Sequence, residues 1–165
     1  MATAVQGISE RDWAALTGDK GLEYINGKLV SRGMTSELHG DWANAIALYL
    51  HSKGFWSKQN VIVRPPGGEF RPDVLVKTPH APKEEYLTHP PAMVFEVLSK
   101  SNPWSDMQYK FRAYEKWGVI LSLLVDPETQ EWWRFQDGVF QPLKEFTFNM
   151  YEIWLDLREI PRLIP

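Results

Sequence analysis

The chain has 165 residues, enough for one domain with a real core, and its 44% hydrophobic and 24% charged residues suit a globular protein rather than a disordered one. With 18 Lys and Arg against 21 Asp and Glu, it lacks the basic surplus on which sequence-independent binding to nucleic acid rests, although a locally basic groove is compatible with that balance. The absence of cysteine excludes disulfides, thiolate metal sites and cysteine nucleophiles.

The N-terminus lacks a basic start followed by an apolar run. No window approaches the roughly 18 uninterrupted apolar residues of a membrane helix. A cytoplasmic protein without a membrane segment is expected. Ser9, followed by Glu10, Arg11 and Asp12, predicts a short capped helix ending at Gly18. In Leu22–Val30, Asn26-Gly27 between two apolar arms predicts a tight hairpin, because both turn positions favour positive φ.

Thr35 or Ser36 then caps a long helix over 37–53, with Leu38, Trp42, Ala45, Ile46, Tyr49 and Leu50 at helical spacing and Gly54 as terminator. Strands are predicted over 55–64 and 70–77, broken by Pro65-Pro66-Gly67-Gly68, with Pro72 favouring a strand start or an edge. A Pro- and His-containing loop runs from 78 to about 91, and the apolar strand MVFEVLS follows it. Ser101-Asn102-Pro103 opens a helix over 104–117 that Gly118 stops. VILSLLVDP reads as a buried strand, EWWRFQ and VFQPL flank Asp137-Gly138 as a second hairpin, and YEIWLDL is strand-like. The order implies a single domain over 1–165 of mixed α/β (α+β) class, with one central mixed sheet flanked by helices and an N-terminal hairpin.

Two carboxylates carry the chemistry. Glu96 interrupts MVFEVLS, where neither alternating face is polar, and Asp73 begins a strand of apolar character. If the strands are neighbours, both acids point into one cleft and repel, unless a divalent cation lies between them; Mg²⁺ or Mn²⁺ suits such hard oxygen donors. The competing reading of Glu96 is an internal salt bridge with Arg71, Lys77 or Lys110, and that of Asp73 is a residue at a strand start. The four histidines lack zinc-like spacing, and no phosphate-cradling glycine loop or nucleophile elbow occurs.

Arg71-Pro72-Asp73-Val74 and Phe95-Glu96-Val97-Leu98-Ser99 resemble the two acidic motifs of PD-(D/E)xK nucleases. With Glu23 to Val30, Glu37-Leu38-His39-Gly40, Asp106, Lys110, Tyr114, Trp117-Gly118-Val119 and Val125-Asp126-Pro127, the ordered set is similar to the Uma-two family, a restriction-endonuclease-like domain of unknown function. The resemblance implies metal-assisted hydrolysis of DNA phosphodiesters, with Asp73 and Glu96 as ligands of Mg²⁺ or Mn²⁺ and a homodimeric assembly. It matches Glu37, on the first core helix, to an additional catalytic and metal-binding acid. The lysine of the plain motif is absent, since Leu98 stands two places after Glu96; the family pattern takes it from the next helix, where Lys110 matches. Lys77 is the rival, as it shares a strand face with Asp73. Lys100, Asn102 and Lys28 depart from the pattern without removing a proposed ligand. The alternative is a catalytically inactive module of the same fold that binds a protein or nucleic-acid partner. A carboxylate pair could also hydrolyse a glycosidic bond, but no further feature points there.

Overall fold

The computed structural model describes residues 4–6, 21–32 and 35–165; the helix expected over 9–18 lies outside them. Strands β2 (Leu22–Ile25) and β3 (Lys28–Ser31) form the N-terminal hairpin, and β1 (Ala4–Gln6) pairs with β3 to complete a three-stranded antiparallel sheet. Asn26 and Gly27 take φ of +50° and +74°, the backbone that lets a two-residue turn match the twist of its strands.

Ser36 accepts the N–H of His39 at 3.2 Å and so caps helix α1 (Glu37–Ser52). The central sheet follows in the order β4 (Ser57–Gln59), β5 (Val74–Val76), β6 (Met93–Val97), β7 (Leu121–Val125), β8 (Trp132–Gln136) and β9 (Val139–Pro142). It is antiparallel except between β6 and β7, which run parallel across helix α2 (Trp104–Trp117). Gly118, at φ +104°, closes α2 as predicted. The chain ends in a third hairpin, β10 (Thr147–Met150) with β11 (Ile153–Asp156), after that of β8 and β9, and a 3₁₀ turn over Leu157–Leu163. No helix among the described residues is long and apolar enough to cross a membrane.

Every residue of β5, β6 and β7 is buried, which explains why their sequences read as continuous apolar runs rather than alternations. One face carries Val74, Val76, Met93, Phe95, Val97, Leu123 and Val125 against Trp42, Ile46, Tyr49 and Leu50 of α1. The opposite face sets Leu75, Val94 and Leu124 against Met107, Phe111 and Tyr114 of α2. Trp132 and Trp133, adjacent in β8, point to opposite faces and join the two cores separately.

The expected strand over 55–64 shortens to Ser57–Gln59, because Asn60 turns the chain at φ +55°; Val63 then makes only isolated bridges to Phe70 and Leu87. The strand expected over 70–77 begins at Val74, beyond Pro72, which has no N–H for a ladder. The tail holds a complete hairpin where the sequence suggests one strand. Its turn uses Tyr151 and Glu152 at φ +51° and +64°, residues that do not announce such a backbone.

Candidate active site

The register of the central sheet brings the two acids together. β5 pairs Val74 with Phe95, so one step further sets Asp73 opposite Glu96 on the face that looks toward α2. Asp73 lies just past the end of the ladder, where its side chain replaces a strand bond: the Val97 N–H donates to Asp73 Oδ2 at 2.8 Å. Asp73 and Glu96 line one small cavity of about 20 Å³, together with Glu23, Arg32, His39 and Lys110.

Glu96 is 3% exposed, and α2 supplies its partners. Lys110 and Tyr114, one turn apart on that helix, both reach Glu96 Oε1 at 2.8 Å, the lysine as an ammonium and the tyrosine as an O–H donor. Lys110 Nζ also lies 3.0 Å from Glu23 Oε1, which in addition accepts the Arg71 N–H at 2.7 Å. A single buried cation therefore sits between two buried acids from different sheets. Burial pushes the Glu96 carboxyl up to about 7, with the negative charges of Asp73 and Glu23 adding to the effect against the pull of Lys110. Lys110 is raised as well, for a different reason: burial disfavours its charge, but Glu23 and Glu96 outweigh that and keep it protonated well above the ordinary lysine range.

Asp73 is held by a separate set. His39 Nε2 lies 3.2 Å from Oδ2 and an Arg32 guanidinium nitrogen 3.2 Å from Oδ1. Burial would raise the Asp73 carboxyl, yet His39, the Val97 N–H and Lys110 hold it below the usual range. Burial likewise disfavours a charged His39, but its bond to Asp73 raises it above the ordinary imidazole value. The acids thus differ in kind: Asp73 is a committed carboxylate, and Glu96 is poised near neutrality.

Among the described residues, no three His, Asp or Glu side chains gather as a metal cage. The donor set nevertheless fits a hard ion of the Mg²⁺ type, which is commonly held by one or two carboxylates and completes its shell with water and substrate phosphate. Asp73 and Glu96, in one cavity, are the carboxylates that would offer such ligands, and Arg32 on Asp73 Oδ1 is a cation that an incoming ion would have to displace or neighbour.

A mixed sheet between two helices, with acids on adjacent central strands and a lysine from the crossover helix, defines a nuclease-like α+β fold. A solved structure described as a "putative nuclease belonging to DUF820" from Anabaena variabilis ATCC 29413 superposes with a TM-score of 0.75 at 14% identity, covering 96% of this chain and 100% of that one. The Uma2 family, described as "Putative restriction endonuclease", matches residues 11–154. The chain belongs to that family. No curated protein matches it.

Of the residues proposed from sequence, the fold brings Asp73, Glu96 and Lys110 together. Glu37 stands exposed in the first turn of α1 and does not line the cavity. Lys77 donates to the Pro82 carbonyl on the other side of β5's short span and is also outside it. Lys110 does not form the surface pair with Asp106 that their spacing allows; it turns inward to the acids. Arg32, His39 and Glu23 complete the site. His39 stands three, four and seven residues before Trp42, Ala43 and Ile46, so the buried stripe of α1 already contained it. Glu23 was visible as an acid in a short apolar strand. Arg32, just beyond β3, carried no signal.

Proposed function

We propose that the protein is a metal-dependent endonuclease that hydrolyses DNA phosphodiesters. The observation that carries this reading is Asp73 opposite Glu96 in one cavity, with Lys110 in contact with Glu96. Asp73 and Glu96 would hold Mg²⁺ or Mn²⁺, which when bound polarises the phosphate and acidifies its water. Lys110 keeps its proton, so it serves as a donor that orients the attacking water or steadies charge developing on phosphate oxygens, not as a base. Glu23 and Tyr114 fix Lys110 and Glu96 in position. Arg32 and His39 hold Asp73, and Arg32 supplies positive charge to an incoming phosphate. Because Glu37 stands outside the cavity, the third acid in this scheme is Glu23. Assembly as a homodimer is part of the proposal; the exposed Trp56 and Trp154 offer apolar surface suited to it.

The test measures Mg²⁺ and Mn²⁺ binding by calorimetry and the nicking of supercoiled plasmid, for wild type and Glu96→Gln. Expected are binding and nicking by the wild type and loss of both in the variant. Absence of wild-type hydrolysis, or hydrolysis that Glu96→Gln leaves intact, would end the nuclease reading.

A second reading has its own support. Arg32 and His39 already engage Asp73, and Lys110 engages Glu96, as expected of a catalytically silent module whose acids are internally neutralised. That module would bind no divalent ion in the same calorimetry.

A further inference from the structure

A larger cavity opens on the far side of Asp73. It measures about 370 Å³, and the acid cavity shares Arg32, Thr35, His39 and Asp73 with it as a common wall. Its volume lies near the lower end of the roughly 300–1,000 Å³ that accommodates small organic ligands. Apart from that shared wall, its polar side chains are neutral amides: Asn44 on α1, and Gln59 and Asn60 at the end of β4.

These amides are prearranged. Gln59 Nε2 donates to Asn44 Oδ1 at 3.2 Å, and Arg32 donates to Asn60 Oδ1 at 2.8 Å. Among the described residues this turns the Gln59 carbonyl oxygen and the Asn44 and Asn60 amide groups to other partners. Adjacent acceptors and donors of this kind complement the edge of a nucleobase, and the charged groups of the shared wall are already paired with one another through Asp73.

Gly40 gives an independent sign. It sits inside α1 with ordinary helical φ and lines the cavity. A Cβ built there meets no atom within 4 Å, so neither packing nor backbone geometry requires glycine. Glycine weakens a helix interior relative to alanine. What its bareness preserves is the open space of the cavity, flanked on the same helix by the small Ala43.

We infer that this amide-lined cavity is a nucleobase pocket, which takes the base of the nucleotide next to the phosphodiester held at Asp73 and Glu96. The inference rests on the nuclease reading for the position of that phosphate. The base would leave its stack and enter with its edge toward Asn44 and Gln59 and its face along the strip of Gly40 and Ala43. Cleavage would then favour one base beside the cut, by about ten-fold for one well-made bidentate contact.

Calorimetry with the four deoxynucleoside 5′-monophosphates and with abasic deoxyribose 5-phosphate, all in Mg²⁺, tests the pocket directly. One monophosphate should bind at least ten-fold more tightly than the abasic probe. That preference should vanish in Gly40→Leu and in the double variant Asn44→Ala/Gln59→Ala, whose replaced side chains are exposed and leave the fold intact even if the leucine does not. Probes that bind alike or not at all, or a preference that survives the double variant, would overturn the pocket. Sequencing the ends cut from a random-sequence oligonucleotide separates the two proposals. Cuts without base bias, with indifferent binding, remove the pocket and leave the nuclease; base-selective binding without any cleavage keeps the pocket and removes the nuclease.

Discussion

Replacing Lys110 by Met tests the electrostatic core of the site, because it keeps much of the aliphatic stem and deletes the one cation between Glu23 and Glu96. Leaving a buried acid without its partner costs about 3–5 kcal/mol. Glu96 has an escape: it can take up a proton, and burial already pushes it to about 7. Below that pH it is neutral with or without Lys110, so the cost rests on Glu23 and is at its smallest. Above it the wild type ionises Glu96 while the variant resists, and the cost grows by about 1.4 kcal/mol for each pH step. Urea denaturation at pH 6 and pH 8 should therefore give a destabilisation about 1 kcal/mol larger at the higher pH. At pH 8 the midpoint of thermal unfolding should fall by roughly 6–12 °C for a loss of about 3 kcal/mol in a chain of this size. Glu96→Gln should relieve part of the loss, making the two substitutions non-additive by about 1–3 kcal/mol. A cost below about 1 kcal/mol at pH 8, or one that does not change with pH, would refute the claim that this pair is buried and coupled.

Other outcomes follow from the same geometry. Because the folded carboxyl of Glu96 is raised from 4.5 to about 7, the folded state binds the extra proton, and wild-type stability should decline as pH rises through that interval. The drop should be on the order of 3 kcal/mol and much reduced in Glu96→Gln, where only the smaller decline from the raised His39 is left toward neutral pH, as read by denaturation at pH 4.5, 6 and 7.5. Asp73→Asn should abolish calorimetric Mn²⁺ binding and also loosen the end of β6, since Asp73 accepts the Val97 N–H; faster hydrogen exchange at Val97 would register the second effect. Trp42→Ala removes a fully packed ring that meets Trp132 edge-on at 5.9 Å, and it should cost about 3–5 kcal/mol in denaturant midpoint analysis without touching the acids.

Much of this molecule was legible from local chemistry. Asn26-Gly27 and Asp137-Gly138 announced their hairpins because few residue pairs tolerate two consecutive positive φ values. Both long helices were delimited by Ser36, Pro103 and Gly118, residues that satisfy or terminate backbone hydrogen bonding. Glu96 betrayed itself as an acid in an apolar strand, and Asp73 as an acid before VLV. The turn at Tyr151-Glu152 was hidden because its residues resemble those of a strand, and their strain is borne by the pairing of β10 with β11.

The partners of the two acids were another matter. Local sequence decides which residues share the face of a strand or helix, and that sufficed to mark Asp73, Glu96 and the inward stripe of α1. Which faces meet depends on strand order and register, set by burying both sides of the sheet at once. Only that packing brought Glu23 from the N-terminal hairpin onto Lys110, a separation of 87 residues, and carried Arg32 to Asp73. It also left Glu37 in solvent, one turn of thought away from the cavity its motif implied: a helix can direct His39 or Glu37 inward, not both, because two residues along it turn through about 200°.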